Sequence, residues 1–508
     1  MHCRETEGRI AELSELVRAQ AKELALLKKT LHEAFWKRRS ERDVEGQLAF
    51  PFDPSTGGNE VAAAPVTTAS SVPGHGDDQA RAAETAKRKS GGRNVIPALI
   101  ERRDEIFAMS AEELDRRFGA GQWKEIGEEV TEELDRDPSS FFVRRRVVKK
   151  YAAVAGNTAP VRAEHPSSVI PKCYAGPGLL ASLVVAKYGD HLPLYRIERQ
   201  YAREGVPLSR STLCNWTEQT GHCFYGIVET ITRDLLADDI VRTDDTPIAL
   251  LDRNAPGGSR KVFAWPYLSS RGDLVFDVTP SRASSGPQAF LARFRGRYLQ
   301  GDGASLNAAT ATALKLRLAG CMAHARRGFF KAKDTEPVLA TEALGMIRGL
   351  YAIERQAVES GLSPPQVVEL RARESRPILD RFRAWLDQPR PEVLPSSALG
   401  KAISYAAQQW PNLERYLEDG RLRIDNNDVE NEIRPLTLGR KNYLFFGGPS
   451  GMKTAATLYT IVANCRLQGI NPIAYVKDVL SRIPTSSGAE IAALTPRAWK
   501  AQQGPSAI

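Results

Sequence analysis

No two of the six cysteines (Cys3, Cys173, Cys214, Cys223, Cys321, Cys465) form a CxxC pair. That spacing excludes a disulfide framework and a cysteine-rich zinc site. Cys321 with His324 comes nearest to a metal pattern, but tetrahedral zinc takes four ligands at matching spacing and no second pair stands out. A buried thiol and a positioned histidine are expected there, and no zinc. The chain also lacks any apolar run of about 18 residues, and its first residues are charged where a secretory leader would be apolar. A cytoplasmic protein without membrane association is expected. In FFGGPSGMKT (445–454), Met452 replaces the glycine that a phosphate loop needs before its lysine, so nucleotide binding is not expected.

What remains is a soluble globular composition, 42% hydrophobic and 26% charged, in a chain of 508 residues, too long for one core. Lysine and arginine exceed the acids by nine, which suits a polyanionic partner, nucleic acid or an acidic membrane surface.

From the N-terminus, Ile10, Leu13, Val17, Leu24, Leu27 and Leu31 follow a heptad pattern, read as a coiled coil within residues 1–47, with a single amphipathic helix as the alternative. Residues 48–95, rich in Pro, Gly, Ala, Ser and Thr, read as a flexible linker. Residues 96–160 begin helical and acidic (EELDRRF, EEVTEELDRD) and end in VRRRVVKK (143–150), whose alternation suits a strand with a basic, phosphate-facing side or a solvated face. Within 161–235, a helix carrying Leu194, Ile197 and Tyr201 runs into Gly205, and a second starts behind Ser209 or Ser211. This is a helix-turn-helix outline, shared with helical hairpins in cores, and it would place Arg210, Ser211, Thr212 and Asn215 against DNA.

Strand-like segments at 240–252, 261–270 and 273–281, a helix at 285–294, a strand at 297–303, a helix at 306–316 and a strand near 318–323 fill residues 236–330. Residues 331–420 read as helical, 421–465 as the second part of the same unit, and 466–508 as a C-terminal tail. Asp244 lies in the first strand, Asp302 ends the fourth, and Glu430 sits on a helix expected from Asp428 until Pro435 interrupts it. Glu430 with Arg434 could equally be an i,i+4 ion pair. Ribonuclease H-like nucleic-acid enzymes assemble a metal site from this order of elements, with carboxylates holding two Mg²⁺ or Mn²⁺ ions. The predicted fold is therefore a multidomain α/β chain: a ribonuclease H-like core split by a helical insertion, preceded by a coiled coil and a helix-turn-helix-like domain.

The blocks DDTP (244–247), SRASS (281–285), YLQGDG (298–303), GCMAHARRGF (320–329) and DNNDVENEIRPLTLGRKNYLFFGG (425–448) resemble the large transposase of the IS66 insertion-sequence family. So do residues 187–216 and FWKRRSERDVEGQL near the N-terminus, so the resemblance spans nearly the whole chain. It implies a DDE triad of Asp244, Asp302 and Glu430 holding two Mg²⁺ or Mn²⁺ ions. It also implies hydrolysis at the DNA ends of the element and attack of the freed 3′ hydroxyl on target DNA. Arg434, Arg440 and Lys441 flank the triad helix and are expected on DNA phosphates. A homo-oligomer and accessory proteins from the same element are expected partners. The chain departs from the family in lacking a zinc-finger CxxC pair after the linker, in carrying Asp245 where Glu is usual, and in lacking a tyrosine two residues after Asp302. The alternative function is an inactive descendant that binds the element ends as a repressor.

Overall fold

The computed structural model describes residues 96–503, apart from 97, 99, 138–139, 155–158, 165–167 and 172. The coiled coil expected at 1–47 and the linker at 48–95 lie outside the described residues.

The first unit of structure is a four-stranded sheet made of β1 (Arg102–Phe107), β2 (Trp123–Asp137), β3 (Ser140–Ala153) and β4 (Val161–Arg162), with helix α1 (Ala111–Phe118) between β1 and β2. The acidic stretch 123–137 is thus a strand, where its glutamates suggested a helix. The cause is its partner. β2 and β3 pair antiparallel with Glu132 opposite Arg145 and Glu128 opposite Lys149, and opposite charges across a ladder favour strand pairing over the helix preference of Glu. The basic side of β3 is correspondingly occupied. Arg144 meets Asp135 at 2.9 Å and Glu105 at 2.6 Å, Arg146 meets Glu133 at 2.7 Å, and Lys149 meets Glu125 at 2.8 Å. VRRRVVKK is therefore a strand, as expected, but its cations face carboxylates of the same sheet.

Four helices follow: α2 (Pro177–Tyr188), α3 (Leu194–Arg203), α4 (Arg210–Cys223) and α5 (Tyr225–Leu236). The turn from α3 to α4 passes through Gly205 at φ +82°, a conformation that favours glycine, and Ser209 caps α4 by accepting the Thr212 N–H at 3.2 Å.

The central sheet contains β5 (Ile240–Thr243), β6 (Thr246–Leu251), β7 (Ser259–Ser269), β8 (Leu274–Thr279), β9 (Tyr298–Gln300), β10 (Arg317–Ala319) and β11 (Phe445–Phe446). Leu268 of β7 faces Arg242 of β5 on one edge and Leu274 of β8 on the other, and Phe263 likewise lies between Pro247 of β6 and Thr279 of β8. β5 and β6 therefore share one edge of β7. They form a single strand interrupted only at Asp244–Asp245, and the register to β7 is the same before the break (Thr243 with Tyr267) as after it (Thr246 with Ala264). Beyond β5, β9 and then β10 add in parallel. The order is β8-β7-β5/β6-β9-β10, three antiparallel positions followed by two parallel ones, with the short β11 added in parallel beside β6. Helix α6 (Ser285–Phe290) joins β8 to β9, and α7 (Ser305–Ala313) joins β9 to β10.

After β10 comes α8 (Met322–Ala332), then a helical block of α9 (Pro337–Glu359), α10 (Pro364–Leu370), α11 (Arg376–Asp387) and α12 (Ala398–Leu413). Leu350, Phe382, Trp385 and Trp410 of the block share a core with Met322 and Phe329 of α8 and with Ile240 and Tyr298 of the sheet. Buried Arg371 anchors it, with bonds to Glu354 (2.6 and 2.8 Å) and to the carbonyls of Tyr416, Asp419 and Leu422.

Helix α13 (Asn427–Tyr443) continues through Pro435. The missing N–H costs one helical bond, but Ile433, Leu436 and Gly439 are buried around it, so packing outweighs the break that proline predicts. Helix α14 (Pro449–Leu467) lies along the free edge of β8. There Asn464 accepts from Leu274 N (3.1 Å) and Thr460 accepts from Phe276 N (2.9 Å), satisfying strand groups that would otherwise invite aggregation. The residues read as a tail are folded too. In α15 (Pro472–Arg482), Tyr475, Val476, Val479 and Leu480 are buried in the main core.

No helix among the described residues is long and apolar enough to cross a membrane.

Candidate active site

Asp244 occupies the break between β5 and β6, and Asp302 follows β9 by two residues. Because β5 and β9 are neighbours with Arg242 facing Gln300, both acids leave the same end of adjacent strands. The segment leading into α13 is tied onto that end at three points. Gln300 donates from Nε2 to the Arg423 carbonyl at 2.6 Å and accepts the Arg423 N–H at 3.3 Å. Asn426 donates from Nδ2 to the Thr243 carbonyl at 2.9 Å. The Arg242 guanidinium, 6% exposed, meets Asp428 at 2.8 Å. Each aspartate thus follows closely on residues bonded to the start of the helix that carries Glu430.

Each acid is also held individually. Asp302 Oδ1 accepts from Asn307 Nδ2 at 2.7 Å and from the Ala304 N–H at 3.1 Å. Asp244 accepts the N–H of Asp245 at 2.7 Å, while Asp245 is gripped by Arg282 of the SRASS block, whose Nε lies 2.9 Å from both carboxylate oxygens. Burial pushes the Asp244 carboxyl up to about 7; the Asp245 N–H opposes the shift, and the charges of Asp302, Glu430 and Asp245 add to it. A buried carboxylate with further carboxylates around it suits a hard divalent cation.

Glu430 does not pair with Arg434. Its carboxylate faces α8, with Oε1 3.8 Å from His324 Nδ1 and Oε2 3.7 Å from Arg327. Among the described residues, the His/Cys/Asp/Glu group whose ligand atoms all lie within 4.8 Å of one another is Cys321, His324 and Glu430. Glu430 therefore sits between two sets of partners, Asp244, whose carboxyl its charge helps to raise, and the Cys321–His324 pair beside it. The helical block contributes as well. Tyr405 of α12, its hydroxyl pushed up to about 12 by burial, lies so close to Gly303 that a Cβ there would stand 2.7 Å from its oxygen. Among these positions, sequence reading did not single out Arg242, Arg282, Gln300, Asn307, Arg327 or Tyr405; Arg282, Gln300 and Arg327 lie in the blocks SRASS, YLQGDG and GCMAHARRGF, which carried a signal, whereas Arg242, Asn307 and Tyr405 had none.

The proposed DNA contacts fall into two groups. Arg210, Ser211 and Asn215 are exposed and Thr212 half-buried at the start of α4, with the Arg210 N–H on Glu198 at 2.9 Å and Asn215 accepting from Gln219 at 2.9 Å. Arg434 and Lys441 are exposed on α13, whereas Arg440 turns inward to the Thr246 hydroxyl (3.2 Å) and the Pro247 carbonyl.

Residues 172–454 match the family model "Transposase IS66 family", and residues 460–497 match "IS66 C-terminal element". Three proteins of Sinorhizobium fredii are similar: uncharacterized protein y4jD (29% identical, 97% of each chain), y4hP (31% identical, 75% of this chain and 72% of the relative) and y4qI (32% identical, 82% and 79%). On the extent of these matches, this chain belongs to the IS66 transposase family.

Proposed function

We propose that the chain is a DDE transposase, cutting phosphodiester bonds at the ends of its element and joining the freed 3′ hydroxyls to target DNA. One observation carries this reading. Adjacent strands β5 and β9 end in Asp244 and Asp302, and the segment opening the Glu430 helix is bonded to both strand ends. The sheet order, three antiparallel positions then two parallel ones, supports reading it as a ribonuclease H-like core, with the helical block between α8 and α13 as an insertion in it.

Asp244, Asp302 and Glu430 would hold two Mg²⁺ or Mn²⁺ ions, which when bound neutralise phosphate charge and activate the attacking oxygen. The protein's part is positional. Asn307 orients Asp302, Arg282 fixes Asp245 and through it the break that presents Asp244, and Asn426 with Gln300 hold the Glu430 helix in place. Arg434 and Lys441, with Arg210, Ser211, Thr212 and Asn215 on the helix-turn-helix, would meet DNA phosphates and bases, Arg440 serving mainly to dock α13 on β6. The expected partners are the element's terminal repeats, target DNA, a second copy of the chain and proteins of the same element, in the bacterial cytoplasm.

The test is cleavage and strand transfer on labelled element-end DNA with Mg²⁺ or Mn²⁺, comparing the intact chain with Asp244→Ala and Asp302→Asn. Metal-dependent products that vanish in the variants while end binding persists are expected. Specific binding with no cleavage, with accessory proteins supplied, would favour the repressor alternative.

A further inference from the structure

The Cys321–His324 pair lacked partners in the sequence, and the fold supplies one 106 residues after His324. Two segments are fastened together there. The Met322 N–H donates to the Ile424 carbonyl at 3.0 Å, and the Asn426 N–H donates to Cys321 Sγ at 3.2 Å, so the start of α8 and the start of α13 are in fixed register. Across that seam His324 Nδ1 and Glu430 Oε1 are both buried and both without a hydrogen-bond partner, although they are 3.8 Å apart. Two unsatisfied polar atoms facing each other at that separation are too far apart for a hydrogen bond and well spaced for a shared ion.

We infer that Cys321, His324 and Glu430 form a binding site for a thiophilic divalent cation of the zinc class, distinct from the hard-cation site of the two aspartates. Thiolate, imidazole and carboxylate are all zinc ligands, three of them leave a fourth position open, and a cysteine ligand selects against Mg²⁺. On binding, a sulfur–metal bond forms and the thiol proton passes to solvent. Arg327, 3.7 Å from the second Glu430 oxygen, is a cation that an ion at this site would compete with, and its half-exposed side chain borders solvent. Glu430 is shared between the two sites. Resting on the transposase reading, an ion held at Cys321 and His324 withdraws the third carboxylate from Asp244 and Asp302, so zinc antagonises the Mg²⁺-dependent reaction.

Co²⁺ reports such a site by its visible absorption and by a near-ultraviolet sulfur-to-metal band, and the titration needs no DNA. The full chain is expected to take up one equivalent with both signals, released by Zn²⁺. Cys321→Ser should lose the sulfur band, and His324→Gln should weaken binding by at least about 100-fold, beyond the roughly 10–100-fold of an outer-shell change. Thermal melting of each variant separates loss of the site from loss of the fold, and the less buried His324→Gln decides the matter if Cys321→Ser fails to fold. Absence of the sulfur band in the intact chain, or its survival in Cys321→Ser, overturns the inference. In the cleavage assay, zinc should inhibit the intact chain at an at least about 100-fold lower concentration than His324→Gln, matching the loss of binding, each measured against its own zinc-free rate. A chain that binds Co²⁺ as described but never cleaves would refute the transposase reading and leave the metal site standing.

Discussion

Asn426 reaches across 183 residues of sequence to donate its side-chain amide to the carbonyl of Thr243, at 2.9 Å, in a position only 1% exposed. The bond joins the residue before the first aspartate to the turn before Glu430. Removing the amide leaves a buried carbonyl unsatisfied, at about 1–3 kcal/mol, and releases the helix start. Asn426→Ala is therefore expected to lower stability by that amount in urea melts. It should also cut strand cleavage by on the order of 100-fold, the scale for displacing a reacting group by about 1 Å. An unchanged cleavage rate would show that the tether does not position Glu430.

Arg282 touches Asp245 and none of the proposed triad directly. Its side chain is half-exposed, so Arg282→Ala should leave the melting temperature nearly unchanged. The Mg²⁺ concentration for half-maximal cleavage should rise by about 10–100-fold, as for other outer-shell changes. Arg282→Lys, which keeps the charge but loses the two-oxygen grip, should fall between. Equal metal dependence in all three proteins would remove Arg282 from the site.

The Asp244 carboxyl, near 7 in the folded chain, lies well above a carboxyl in the unfolded chain, so folding favours its protonated form. The sign follows from that. The stability this group contributes is fully present below about pH 4 and is lost as the pH rises through about 7, a loss of a few kcal/mol at about 1.4 kcal/mol per pH unit. In chelator, Asp244→Asn should raise the melting temperature at about pH 8 and change it little near pH 4, and Mg²⁺ should stabilise the wild type preferentially. A variant no more stable than wild type at the higher pH would mean that the acid cluster is not under charge strain.

Arg440 and Lys441 are sequence neighbours with different surroundings, and salt titration of DNA binding should tell them apart. Lys441→Ala is expected to lower the log–log slope by about 0.9, one phosphate contact. Arg440→Ala, which loses the bonds to Thr246 and Pro247, should cost about 1 kcal/mol of stability with a smaller change in slope. Identical slopes for both variants and the wild type would place α13 away from the DNA.

The strand meander, the short helices around β9 and the two helices on either side of Gly205 were legible because alternating or helical apolar patterns mark the faces that must be buried. The acids stood out because the order of elements placed one in the first strand, one at the end of the fourth and one on a later helix. Reading failed where the deciding partner was remote. Glutamates at 123–137 favour a helix until the basic strand β3 is set beside them, and Pro435 ends a helix unless buried neighbours hold it.

By itself the sequence determined the family, most of the order of elements from residue 177 onward and which residues carry charge, since composition and local periodicity are properties of neighbours along the chain. Which of those residues meet was decided only in three dimensions. Arg242 and Asp428, Arg282 and Asp245, Asn426 and Thr243, and Glu430 with Cys321 and His324 are brought together by parallel pairing of β5 with β9 and by the docking of α13. Contacts across a hundred residues or more depend on how faces pack, and packing is a property of the whole chain.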